Sequence, residues 1–341
     1  MTRSTVSAGG AGSSVASGVM NSYNKPYLET NQLLDLLESR GISLSDRAEG
    51  ASDLRRLGYY RLSAYWYPFR QRLPGHTEGK DIPGDNVIGG YALKDFVDLC
   101  DFDAVLRNII LAAIEPFETS TRALVADQVG RRGAFTYIDK AYWGTAADIA
   151  AKGNSGLTQY EFFCQKQSDQ LLGSKETFAT HFRKRYAGPL PIWAAVELWD
   201  FGMLSRFYEI MAPDDRHAIA TRYGLTAAST FQGWLVSLND LRNFCAHHSR
   251  LNRRHFPNLP RIPGNIPAFR DIRRVQDRDP HRLYSLLCVL AYVLLQLNRP
   301  NHWQAVVVQH FTIPPASSCF HLKDYGIPQN WLHSPLWSTG K

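Results

Sequence analysis

Ser237-Leu-Asn-Asp-Leu-Arg-Asn-Phe-Cys-Ala-His-His-Ser-Arg-Leu-Asn-Arg-Arg254 is the stretch on which the reading of this chain turns. Trp234, Leu238, Leu241 and Cys245 recur at steps of three and four residues, the apolar stripe of a helix facing a core. At roughly 100° per residue, Asn239, Asn243, His247 and Arg250 fall on the other side, with Arg242 on the border between the faces. The spacing predicts a helix over about 227–252 whose polar flank shows an arginine, an asparagine and a histidine to solvent.

The pattern around this stretch is helical almost throughout. Apolar periodicity predicts helices from Thr30 to Gly41, from Ser45 to Leu57, from Leu93 to Val129, from Pro191 to Met211 and from Leu283 to Leu297. In the third of these, Phe96, Leu99, Leu106, Ile109, Ala113 and Phe117 form the stripe, and Pro116 is expected to kink it. The last covers 15 residues, short of the ~20 that a bilayer requires. Residues 73–90 are rich in glycine and proline and read as a loop or short hairpin. No strong alternation marks a larger sheet, so the expected class is all-α: a bundle of helices near 93–129, 191–211, 227–252 and 282–298 with a helical extension before it. Residues 1–22, mostly Gly, Ser, Ala and Thr, read as a disordered tail, 23–312 as the domain (its catalytic bundle about 93–300), and 313–341 as a tail laid over the surface.

Hydrophobic residues make up 44% and charged ones 20% of the 341, an ordinary composition for a water-soluble chain. The net charge of +7 is concentrated: Arg242 to Arg282 holds ten arginines, no lysine and three aspartates. Pro257, Pro260, Pro263 and Pro267 make this an extended, arginine-bearing connector, and its field would draw in a polyanion. The alternative is a solvated loop that happens to be basic. Five cysteines without paired spacing indicate neither a disulfide framework nor a zinc ribbon and fit a reducing cytoplasm. His247, His248 and His255 lack the companions of a metal motif, and Asp200-Phe-Gly202 lacks the nucleotide loop that would make it one, so no metal and no cofactor is expected.

An arginine and a histidine on one anchored flank suit chemistry at a phosphate. Cutting RNA without a metal needs a group that takes the ribose 2′-hydroxyl proton, and histidine titrates near working pH. It also needs fixed positive charge where the phosphate gains negative charge, which a guanidinium fork supplies. The plainer alternative pairs Arg242 with a carboxylate and leaves the histidines as polar surface. Tyr59, Tyr60, Tyr65, Trp66, Tyr67 and Phe69, crowded among arginines such as Arg61, either stack bases or build core.

Arg242-Asn-Phe-Cys-Ala-His247, followed by His248 and by Arg250-Leu-Asn-Arg253, resembles the arginine-x4-histidine signature of HEPN-domain ribonucleases, and more closely the version in the Abi-like (AbiD/AbiF) abortive-infection family. Leu57-Gly-Tyr-Tyr-Arg-Leu-Ser-Ala-Tyr-Trp66, the helix with Ile114-Glu-Pro-Phe-Glu118 and Arg122, and Glu197-Leu-Trp-Asp-Phe-Gly-Met-Leu-Ser205 resemble three further blocks of that family. The resemblance implies a HEPN-like helical bundle acting as a metal-independent endoribonuclease, a toxin in phage defence that pairs as a homodimer. Arg242 would bind the phosphate, His247 would be the acid-base group with His248 its rival, and Asn243 would support them. Arg250, Arg253, Arg254, Arg273, Arg274, Tyr60 and Arg61 would hold the RNA. Expected partners are RNA, whether substrate or regulatory small RNA, a second copy, and an antitoxin, with no membrane. Two other classes fit the same residues: a non-catalytic RNA-binding protein and a protein-interaction scaffold in phage defence.

Overall fold

The computed structural model of the protein describes residues 25–73, 81–151, 153, 156–186, 188–270, 272, 282–298 and 302–338. The expected tail over 1–22 lies outside the described residues, as do Arg273 and Arg274.

Three short helices come first: α1 (Thr30–Ser39), α2 (Arg47–Leu57) and α3 (Tyr59–Trp66). Asp46 caps α2 by accepting from the backbone of Ala48 and Glu49. Gly58, at φ 81°, takes the turn between α2 and α3 that a side chain would strain. A hairpin follows, β1 (Arg70–Leu73) antiparallel to β2 (Ile82–Val87), and it is the sheet of the described residues. With that exception the fold is all-α, as the periodicity predicts.

The long helix α4 (Leu93–Gly130) is 38 residues, about 57 Å at 1.5 Å per residue, and it serves two cores. Its first turns bury Phe96, Leu99 and Cys100 against Leu34 and Leu37 of α1, Leu54 of α2 and Leu62 and Trp66 of α3. Farther along, Leu106, Ile110, Ala113 and Phe117 enter the main core. There α4 meets the later helices: α9 (Phe201–Ile210), α10 (Pro213–Arg222), α11 (Ala228–Ala246), α12 (Tyr284–Gln296) and α13 (His302–Thr312). Between them in sequence lie α5 (Lys140–Trp143), α6 (Gln159–Gly173), α7 (Thr177–Arg185) and α8 (Ile192–Ala195).

Three expectations change. The helix expected over Pro191–Met211 is broken: α8 gives way to a single tight turn, Trp199 turns extended (ψ 132°), and Asp200 starts α9 by accepting from Met203 N at 2.7 Å. Trp199 is held at the break, its ring 1% exposed, its indole N–H on Gln167 and its carbonyl taken by Arg122 at 3.0 Å. The helix α13 is additional; Val307 and Phe311 bury its inner face and Trp303 donates to Ile109 O at 2.7 Å. Residues 313–338 also do more than cover a surface, for Tyr325, Ile327, Trp331, Leu336 and Trp337 belong to the main core and Cys319 to the smaller one. Among the described residues no helix is long and apolar enough to cross a membrane.

Candidate functional site

Phe231, Trp234, Leu235, Leu238, Leu241 and Cys245 bury one face of α11, and packing against α4, α9, α10 and α12 fixes its direction. The helix ends at Ala246, earlier than the predicted 252. His247 is the cap residue; His248 follows at φ 55°, the left-handed conformation that glycine usually supplies. His248 N donates to Cys245 O at 3.1 Å and Ser249 N to Phe244 O at 2.9 Å, the paired bonds of a Schellman closure. The chain thus leaves helical geometry before His248, and His247 and His248 are both exposed.

Side chains from distant elements pin the turn that follows. Arg61 of α3 donates to His248 O at 2.7 Å, and the buried Arg107 of α4 donates to Ser249 O at 3.0 Å. Asp103 of α4, with no exposed surface, accepts from Leu251 N at 2.7 Å and Asn252 N at 3.0 Å. Two phenols complete its shell, Tyr65 at 3.0 Å and Tyr325 at 2.9 Å. Burial is the largest influence on Asp103 and raises its carboxyl above the ordinary value, although all four donors pull the other way. Burial and the Asp103 charge push both phenols well up, so each keeps its proton and donates. Arg253 N donates to Asp324 O at 2.9 Å, and its guanidinium pairs with the Asp324 carboxylate at 2.9 Å.

On the helix itself, Arg242 donates to Asn243 Oδ1 at 3.3 Å and has no ion-pair partner among the described residues. Its charge is felt at Asp200, whose stronger partner is Lys166 at 2.8 Å. Burial works to raise the Asp200 carboxyl, but Lys166, Met203 N and Arg242 together hold it below the usual carboxylate range. Asn239, one turn back, lies against the start of α9, close enough that a Cβ on Gly202 would stand 3.7 Å from its amide. Cys245 is no nucleophile beside the histidines: it is 1% exposed and burial pushes its thiol up to about 12. What remains is a cationic, hydrogen-bonding exit able to bind an anion and to move a proton.

The structure gathers part of the predicted set. Arg242 and Asn243 lie on the last turns of α11, His247 and His248 at its exit, and Arg61 reaches that exit by donating to the His248 carbonyl. Tyr60, next to Arg61, is 81% exposed and free to stack, whereas Tyr65 and Trp66 are core. Arg250 turns inward: it donates to Ala64 O, and its guanidinium lies over the Tyr65 ring at 5.9 Å. Arg253 lies over Phe69 at 4.8 Å and Arg254 over Phe244 at 3.7 Å, so both stiffen the turn with their planes. Arg261 and Arg270 of the connector are exposed.

Asp103, Arg107, Asp324 and Tyr325 are not marked by the sequence pattern as site residues, and Asp200, set aside there as a metal motif, caps α9 beside Arg242. Asp103 had a signal: steps of three and four run Phe96, Leu99, Asp103, Leu106, Ile110, so an aspartate fills a place in the apolar stripe. A charge at such a place calls for a buried partner. Tyr325 had none, being far away in an aperiodic segment.

A family model described as Abi-like protein matches residues 52–252, a span that runs from within α2 to Asn252. No curated protein and no solved structure matches.

Proposed function

The chain belongs to the Abi-like protein family, and from that premise we propose that it acts in abortive infection, a phage defence, as a metal-independent endoribonuclease of the HEPN type. The observation that carries this reading is one helix exit that holds both an arginine with no ion-pair partner among the described residues and two exposed imidazoles. On this reading His247, with His248 its rival, takes the 2′-hydroxyl proton of a ribose while O2′ bonds to phosphorus. The bond to O5′ breaks, and that oxygen takes a proton from the other imidazole or from water, so the products are a 2′,3′-cyclic phosphate and a 5′-hydroxyl. Arg242 takes up the charge that builds on the non-bridging oxygens, with Asn243 orienting its guanidinium. Two copies would pair so that both sets face one cleft, and an antitoxin, protein or small RNA, would restrain them; light scattering that finds an active monomer would remove the pairing.

The test is cleavage of a labelled RNA by purified protein in excess EDTA, with the new ends mapped. Cyclic phosphate and 5′-hydroxyl ends in chelator are expected; 5′-phosphate ends, or loss of activity in EDTA, would overturn the mechanism. A second reading, RNA binding without cleavage, draws on the exposed Tyr60 beside Arg61. It predicts tight binding of an RNA that stays whole.

A further inference from the structure

Between His248 and Arg253 nearly every backbone step is held by a group from elsewhere. Arg61 holds His248 O and Arg107 holds Ser249 O. Asp103 holds the N–H groups of Leu251 and Asn252, and Asp324 O receives that of Arg253. Such over-determination is what keeps a non-glycine residue in the left-handed region, as His248 is. At the centre is Asp103, buried in a stripe where a leucine would pack without desolvation cost. Its two oxygens divide the work. Oδ2 takes both backbone N–H groups and the Tyr65 hydroxyl, and Oδ1 takes the Tyr325 hydroxyl.

We propose that Asp103 is the positioning residue of the site, and that Tyr325, outside the matched family span, completes it by fixing the carboxylate that fixes the turn. The proposal rests on the ribonuclease reading of the same helix exit. Asp103 touches no substrate; it acts by holding the backbone at residues 251 and 252, and so the shape of the turn that follows the cap residue His247 and carries His248. A loosened turn would still leave the exposed Arg261 and Arg270 to bind RNA, but the imidazoles at the helix exit would lose their fixed positions, and misplacement of that kind costs on the order of 10–100-fold in rate.

The variants follow from the hydrogen bonds. In Asp103→Asn the amide oxygen can accept from Leu251 and Asn252 while its NH2 group donates to the Tyr325 hydroxyl, so the geometry is kept without the charge. Asp103→Ala leaves two backbone N–H groups and two phenols without an acceptor. Tyr325→Phe removes one hydroxyl and keeps the ring. Each variant is judged by amide hydrogen exchange of a peptide covering 247–252, by RNA affinity, and by the single-turnover cleavage rate well below the melting temperature.

Asp103→Ala should speed exchange of that peptide and slow cleavage by about 10–100-fold, with RNA affinity kept within about twofold. Asp103→Asn should recover most of the rate, and Tyr325→Phe should fall between the two. If Asp103→Ala does not fold, Tyr325→Phe carries the same test. A normal rate in the folded Ala or Phe variant, or an Asn variant no better than Ala, would overturn the proposal. Wild type that leaves RNA intact would instead overturn the function proposed above. The holding role then stands or falls on exchange, faster in Asp103→Ala or unchanged.

Discussion

At the scale of single residues, the chemistry and the fold of this site separate cleanly. His247 is exposed, and Arg242, half-buried on the border of the Trp234–Leu238–Leu241–Cys245 stripe, has no ion-pair partner among the described residues, so truncating either removes little packing. His247→Ala and Arg242→Ala should each lower RNA cleavage by about 10²–10⁴-fold, while thermal melting moves by no more than a surface substitution does. Normal cleavage by either variant would remove that residue from the mechanism. His248 behaves differently, because its backbone at φ 55° is one that glycine adopts without a Cβ penalty. His248→Gly should therefore stabilise the protein by roughly 0.5–1 kcal/mol, seen as a higher urea midpoint. The same variant decides between the imidazoles. If it still cleaves, His247 is the acid-base group; if it is dead but more stable, His248 is.

At the scale of elements, the break between α8 and α9 matters most, because it places Asp200 beside Arg242. Asp200→Ala removes the cap of α9 and should cost about 1 kcal/mol, measured by urea unfolding at neutral pH. The Asp200 carboxyl is held below its ordinary value in the fold, so its stabilising contribution is present above the unfolded value of about 3.9 and is lost as pH falls through the lower folded value. The gap in urea midpoint between wild type and Asp200→Ala should accordingly narrow in strong acid; a gap that widens there would contradict the sign. The break also shows where reading a sequence stops. Helices α4 and α12, and the start of α11, are legible to within a few residues because burial dictates their period. The turn at Trp199 is not, since it depends on Gln167 and Arg122 reaching it from other helices. For the same reason α11 stops at Ala246: a Schellman closure with histidine in the glycine position gives no local warning. The residues of the site that could be read were those on one helix and its exit, Arg242, Asn243, His247 and His248, with Tyr60 and Arg61 read for RNA binding and not for holding the turn. Those that set its shape come from α3, α4 and the segment after α13.

At the scale of the whole molecule, the basic excess between Arg242 and Arg282 is not one uniform surface. Arg250, Arg253 and Arg254 lean on aromatic rings inside the fold, whereas Arg261 and Arg270 are exposed. RNA affinity should fall steeply with salt, and Arg261→Glu with Arg270→Glu should flatten that dependence by about two phosphate contacts without lowering the melting temperature. Reversing Arg253 and Arg254 should instead destabilise the fold, since Arg253 would face Asp324 with like charge. An unchanged salt slope in the first pair would make the connector a bystander. The holding of one turn by Tyr325 has a consequence in time as well as in space. A chain is made from its first residue onward, so the ribosome delivers α11 and its histidines well before Tyr325 exists to close on Asp103. If an unheld turn works poorly, the nascent chain is blunt while it is still attached to the ribosome that makes it, and it sharpens only after that ribosome has moved past the codon for Tyr325.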